Sequence, residues 1–277
     1  MASAGSSDLR AAAFVAASVP ENYERRLAPV IFEPWAEILI DVIDVRAGDR
    51  VLDVASGTGV VARLAARRAG SEGRVVASDL SSAMLAHAAT RGGGSDAALI
   101  EYLEASATDL KVADGTFDVV VCQQGLPFFT DRPGAAAEMR RALRAGGVVG
   151  LAVWAQGHRL EPFDDYAEAL TAAGVEPPFP RAYETSSFVM GADEVEALLT
   201  GVGFTSVKVS IVEHTIVWPN SESATAGILG TPFGPVIQSL PTDRREALEG
   251  ELARRFATTP GEPVRRSTTA IVARAVA

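Results

Sequence analysis

Apolar and polar positions along this chain fall into two alternating rhythms. In residues 20–44 the apolar side chains Leu27, Val30, Ile31, Trp35, Ile38, Leu39 and Val42 recur at spacings of three and four, which predicts a helix with one buried face. Residues 51–54 form a short, dense apolar run, and the same texture returns at 75–78 and 117–122. Runs this short and this apolar fit strands covered on both faces, as parallel sheets require. Residues 99–104 alternate as a third strand, 148–154 supply a fifth, and alternation at 205–218 supplies a long sixth. The intervals read as helices at 60–69, 82–91, 133–143, 192–199 and 242–256. Ser81 reads as an N-cap, Pro133 fits a first helical turn, Gly146-Gly147 is expected to end the helix through Leu143, and Gly201 the one at 192–199. A final strand at 267–276 is expected to pair antiparallel with the sixth. The whole predicts an α/β fold: a doubly wound, mostly parallel seven-stranded sheet with an antiparallel last strand and a helical cap.

The most informative junction lies where the first strand enters the next helix, at Val51-Leu-Asp53-Val-Ala55-Ser56-Gly57-Thr-Gly59-Val-Val-Ala62. Gly57 and Gly59 permit positive φ and let a ligand approach the backbone. The free N–H groups of the following helix offer donors and partial positive charge to a ligand that accepts hydrogen bonds. Twenty-two positions after Gly57, Asp79 closes the second strand, where a carboxylate can accept both hydroxyls of a ribose. Gly57-x-Gly59-x-x-Ala62 also satisfies the loose dinucleotide fingerprint, so this turn alone leaves two nucleotide classes open.

Four segments in order extend the pattern: Asp53-Val-Ala-Ser-Gly-Thr-Gly59, Asp79-Leu-Ser-Ser-Ala-Met-Leu85, Asp114-Gly-Thr-Phe-Asp-Val-Val-Val-Cys-Gln-Gln-Gly125, and Pro133 to Trp154 around Leu143-Arg-Ala-Gly-Gly147. Together they resemble the class I S-adenosylmethionine-dependent methyltransferases, in particular the small-molecule branch of ubiquinone and menaquinone biosynthesis, over roughly residues 48–154. The resemblance implies a Rossmann-like core with S-adenosylmethionine as cofactor. It implies that Asp53, Ser56, Gly57 and Gly59 form the cradle and that Asp79 holds the ribose. Leu80 and Met84 flank the adenine, and Tyr23 reaches the methionine moiety from an N-terminal helix. Where the family places an acid-Ala pair against the adenine, this chain has Ser106-Ala107, with Asp109 as a substitute if the loop shifts. Gln123 and its neighbours face the reacting centre. Ala55 departs from the family's usual glycine.

Composition narrows the partners. The net charge is −10, which argues against a polyanion, because nucleic-acid binding rests on phosphate neutralisation by Lys and Arg. Basic charge is nearly all arginine, with lysine only at 111 and 208. No apolar stretch reaches the roughly 20 residues that span a bilayer, and the run at 11–17 after Arg10 is too short and too weakly basic for a signal peptide. Cys122, the single cysteine, forms no internal disulfide and suits a reducing cytoplasm. The expectation is a soluble cytoplasmic enzyme, monomer or homodimer, with no nucleic-acid or membrane partner and no metal. Three regions are expected: an N-terminal segment 1–46 closing on the cofactor, a core at 47–154, and a remainder at 155–277 with cap insertions at 155–190 and 219–262, the latter the candidate lid.

A methyl on a positively charged sulfur is already activated, so the protein has mainly to align the acceptor and exclude water. Proximity of this kind supplies about 7–11 kcal/mol. His158, His214, Asp164 and Asp165 are candidate bases should the acceptor need one, and no catalytic residue is assigned. The acceptor is expected to be a small, largely apolar molecule against Phe128, Phe129, Trp154 and Phe233, because ligand pockets are mainly apolar with few polar groups. Two other readings stand beside this one: a nicotinamide oxidoreductase, against which no Tyr-x-x-x-Lys pair exists, and a fold relative that binds the cofactor without transfer, as a cyclase or binding module.

Overall fold

The computed structural model describes residues 19–177, 188–231 and 233–277. The apolar run at 11–17 and the Phe179-Pro180 region of the first cap insertion lie outside them.

Seven strands form one sheet: β1 Arg50–Val54, β2 Arg74–Asp79, β3 Leu99–Glu104, β4 Phe117–Gln123, β5 Leu143–Trp154, β6 Thr205–Trp218 and β7 Val264–Val276. Their order is β3-β2-β1-β4-β5-β7-β6. The first five are parallel, and β7 runs antiparallel between β5 and β6. The unbroken apolar texture of β4 follows from this position. Val119 and Val121 pack into the cluster on one sheet face, while Val120 and Cys122 pack into the cluster on the other.

Helices α1 Val19–Arg26, α2 Glu33–Ile43, α3 Val60–Ala69, α4 Ser82–Ala89 and α5 Arg132–Ala142 surround the parallel half. The single helix expected over 20–44 is broken, because a π-helical turn, Ala28–Phe32, separates α1 from α2. Pro29 and Pro34 lie in the first turns of the π-helix and of α2, where a missing N–H is tolerated, and the chain restarts at each. The α5–β5 boundary also differs from expectation. Leu143 already pairs with Phe117 as a strand residue, its side chain buried, and the register shift before Val119 absorbs the Gly146-Gly147 segment inside β5. Helix α7, Ala192–Gly201, runs through Gly201 rather than stopping before it; the left-handed turn falls at Gly203.

Beyond β5 lie α6 Glu161–Ala172 and, between β6 and β7, an excursion of α8 Ser221–Gly227, a 3₁₀ turn Ile228–Gly230, α9 Gly234–Gln238 and α10 Thr242–Arg255. Leu248, Leu252 and Phe256 join the same core cluster as α2, and the 3₁₀ turn packs on α1. Trp35 of α2 donates its indole N–H to Thr268 of β7 at 3.0 Å, so the N-terminal helices are anchored across the sheet. Because β1 is flanked by β2 on one side and β4 on the other, the strand order reverses between β1 and β4. A crevice therefore opens at their carboxyl ends, where ligands of such sheets bind.

Candidate functional site

At the carboxyl end of β1 the chain turns through Ala55, Gly57 and Gly59, all at positive φ of 58°, 55° and 81°. The turn is fixed from below: the Ser56 N–H donates to the Ser78 carbonyl at 3.0 Å, and the Gly59 N–H to the Ser56 carbonyl at 2.9 Å. Asp79 fixes it from the side. One of its oxygens accepts the Gly57 N–H and the other the Ser81 N–H, each at 2.8 Å, so one carboxylate joins the glycine turn to the start of α4. Burial raises the Asp79 pKa against the pull of these amides. Asp53, only 1% exposed, is pushed up to about 8 by burial, opposed by the Ala62 N–H.

Tyr23 and Phe32, stacked at 4.8 Å between ring centroids, close the crevice from the N-terminal side. With Asp53, Ala55, Ser56, Gly57, Thr58, Val60, Val61 and Gln123 they enclose about 40 Å³. Gln123 donates from Nε2 to the Phe32 carbonyl at 3.0 Å. Four lining side chains keep a buried polar atom without a partner among the described residues: Asp53 Oδ2, Ser56 Oγ, Thr58 Oγ1 and Gln123 Oε1. Buried polar groups are ordinarily hydrogen-bonded, so this density of orphans marks a place built for a polar ligand.

Of the expected cofactor residues, the structure brings Tyr23, Asp53, Ser56, Gly57 and Gln123 to this space. Gly59 lies at the N-terminus of α3. Leu80 is 70% exposed just past β2, and Met84 is buried on α4. The Ser106 hydroxyl lies 2.8 Å from that of Thr108, beside the half-buried Ala107, and Asp109 is paired with Lys111. Among the expected acceptor residues, Phe128 meets Phe188 at 5.7 Å, Phe188 meets Phe163, Phe163 meets Trp154 and Trp154 meets Phe32, forming a continuous aromatic row. Phe129 packs near Gly125, and Phe233 is buried in the excursion.

Three of the four candidate bases have other partners. Asp164 Oδ2 accepts the Leu160 N–H at 2.9 Å, with its pKa pushed to about 6 by burial, and Asp165 is paired with Arg266. His214 lies edge-on to Trp35, and His158 is exposed. Sequence reasoning missed the ion pair behind the site: Arg63 of α3 binds Glu24 of α1 at 2.6 Å, both buried, with Arg91 on the same carboxylate at 3.0 Å. The signal was an arginine set among Val60, Val61 and Leu64 on a helix otherwise apolar there.

The family described as "Methyltransferase domain" matches residues 52–151, the segment that builds β1 through β5 and the whole glycine turn after β1. These residues match a methyltransferase domain. The match decides between the two nucleotide classes that the glycine turn left open. The methyltransferase domain is similar to the ubiquinone/menaquinone biosynthesis C-methyltransferase UbiE of Stenotrophomonas maltophilia, 34% identical over 134 residues, 47% of this chain and 53% of that protein. It is also similar to UbiE of Xylella fastidiosa, 37% identical over 121 residues, 42% of this chain and 47% of that protein. The chain thus spans about half the length of the curated relatives it matches. Among solved structures, a Haemonchus contortus phosphoethanolamine N-methyltransferase 2 aligns with TM-score 0.55 and 17% identity, over 88% of this chain and 52% of that one. The Bacillus subtilis YcgJ protein aligns with TM-score 0.54 and 19% identity, over 87% and 97%. At these identities the likeness extends the methyltransferase fold beyond the matched domain and says nothing further. Among the described residues no helix is long and apolar enough to cross a membrane.

Proposed function

We propose that this protein transfers a methyl group from S-adenosylmethionine to a small, largely apolar metabolite, by alignment and exclusion of water. The observation that carries this reading is the cluster of orphaned polar atoms on Asp53, Ser56, Thr58 and Gln123 beside the glycine turn. That set offers a carboxyl group, two hydroxyls and an amide oxygen, polar partners that fit the amino and carboxylate groups of a methionine moiety. An ideal Cβ at Gly57 meets no protein atom within 4 Å, so the space above it is open. Asp79 would hold the ribose, while Leu80 and Met84 would flank the base and Ser106 and Ala107 would sit beyond it.

When bound, S-adenosylmethionine supplies a methyl group already activated by its positively charged sulfur. The chain's own part is to hold and to shield. Tyr23 and Phe32 cover the crevice, Gln123 pins Phe32 to the end of β4, and the aromatic row from Phe32 to Phe128 provides apolar surface for an acceptor. No described carboxylate or histidine among the candidate bases lines the crevice, which suits an acceptor activated by its own chemistry. Phe129 and Phe233 would complete the acceptor surface.

Titration calorimetry with S-adenosylmethionine and with NAD tests cofactor choice, and labelled S-adenosylmethionine with a panel of acceptors tests transfer. S-adenosylmethionine is expected to bind, and Asp79→Ala to weaken it several-fold to a hundredfold, since a charged hydrogen bond contributes about 1.5–3 kcal/mol. Binding of NAD alone would refute the reading, and binding without label transfer to any acceptor would reduce it to a binding module.

A further inference from the structure

The crevice is rich in hydrogen-bond acceptors and has no cation of its own. None of the side chains that line it is a lysine, an arginine or a histidine. Asp53 Oδ2 and Gln123 Oε1 are both buried there without a partner among the described residues. The glutamine is fixed as an acceptor, because its Nε2 is already engaged by the Phe32 carbonyl. Arg63, whose charge reaches Asp53 from α3, is committed elsewhere: Nη1 donates to the Thr58 carbonyl and Nη2 to Glu24, each at 2.6 Å. Asp79 faces Asp53 from β2 with a charge of the same sign, its own oxygens held by the Gly57 and Ser81 N–H groups. Tyr23 of α1 and Cys122 of β4 are kept neutral by burial, the thiol pushed up to about 12. Burial opposes the Asp53 anion as well, and the Ala62 N–H offsets only part of that cost.

A buried carboxyl group with no counter-charge, set beside a second carboxylate, takes up a proton instead of holding a lone charge. Resting on the methyltransferase reading above, we propose that cofactor binding in this crevice is linked to proton release: Asp53 is a neutral carboxylic acid before S-adenosylmethionine binds, and ionises when the ammonium group of the methionine moiety arrives as its counter-cation. The O–H bond of the acid breaks, its electron pair stays on the carboxylate, and the proton passes to solvent. The ammonium group keeps all its hydrogens. Asp53 thus carries a charge only while the ligand supplies the opposite one, and β1 never holds a lone anion at the centre of the parallel sheet. The linkage is reciprocal: because binding expels a proton, affinity rises with pH until the free acid has itself ionised. Asp79, satisfied by two N–H groups, takes no part in the exchange.

Calorimetric titration of the full chain with S-adenosylhomocysteine, which carries the same ammonium group, tests this at pH 6.5 in buffers of low and high ionisation enthalpy. At that pH the ligand's own ammonium stays charged, since an α-amino group titrates at about 7.7–8.0. The slope of binding enthalpy against buffer enthalpy should report release of about one proton, and affinity should rise about tenfold from pH 6 to pH 7. Asp53→Asn, which keeps the shape of the neutral acid, should release no proton and bind with the same affinity at both pH values. An infrared difference spectrum of the parent needs no variant: the carbonyl band of one protonated carboxyl group should disappear on binding. A parent that releases no proton or keeps that band, or a variant that still releases a proton, would overturn the assignment, the last by placing the proton on another group such as Asp79. Failure of the parent to bind S-adenosylhomocysteine at any pH would instead bring down the methyltransferase reading beneath it.

Discussion

Ala55 stands at φ +58° where the resembled family usually has glycine, and its methyl reaches the space that a side chain on Gly125 would need. A left-handed alanine costs roughly 1–2 kcal/mol, partly offset by the lower chain entropy it has to lose on folding. Ala55→Gly is therefore expected to leave stability unchanged or raise it by up to about 1 kcal/mol. Gly125→Ala should cost about 1–3 kcal/mol through overpacking, and less in the Ala55→Gly background. Urea unfolding of the four proteins in that cycle measures the coupling; strict additivity would show that the two positions do not share space. Residues of this kind mark the limit of reading from sequence. The turn at Gly57 and Gly59 was legible because backbone geometry restricts a positive φ to a few residue types, and the place of Asp79 beside it because the second strand ends there. The strain at Ala55, and at Gln124 with its φ of +58°, was not, because neither residue type advertises a left-handed φ.

The first helix is held to the cradle by a device that sequence periodicity does not reveal. Glu24 is 3% exposed and shared by Arg63 and Arg91, and the Gln123–Phe32 hydrogen bond ties the next turn to β4. Removing one partner of a buried pair costs about 3–5 kcal/mol because the other charge is stranded. Here that cost is expected to fall on α1 alone. Glu24→Gln should speed hydrogen exchange at residues 19–32 while the amides of β1 and β4 keep their protection, as measured by mass spectrometry. Equal acceleration in the strands would show that the pair supports the whole sheet. The sheet elements themselves were legible, since strand texture and helix caps are local signals. The break between α1 and α2 was hidden because helical spacing runs on across Pro29 and Pro34, and the early start of β5 because Leu143 fits a helix's apolar face as well as a strand's.

Charge and packing set the behaviour of the whole molecule. Burial raises Asp53 to about 8 and Asp164 to about 6, so both stay protonated in the folded chain at pH values where the unfolded chain has released those protons. With fewer protons bound to the unfolded state, stability falls as pH rises, first between about pH 4 and 6 for both groups and then to about 8 for Asp53. The net charge of −10 at neutral pH acts in the same direction through self-repulsion. The urea midpoint should therefore be higher at pH 5.5 than at pH 8, and Asp53→Asn should flatten the upper part of that slope; a rising midpoint would contradict both buried carboxylates. The seven-stranded architecture was legible at this scale, whereas the interleaving of the excursion with α1 was not, because contacts between distant segments leave no local pattern. The excursion over 219–262 is not a detachable flap, since Ile228, Leu248 and Leu252 complete the same apolar interior that α2 enters. That interior also holds all three tryptophans, at 0–3% exposure, with Trp154 tilted against Phe32 at 6.4 Å and edge-on to Trp35 at 5.8 Å. The protein consequently carries its own optical reporter: any opening of the N-terminal segment that draws Phe32 away admits water to Trp154 and shifts its emission to the red, with no dye or label added.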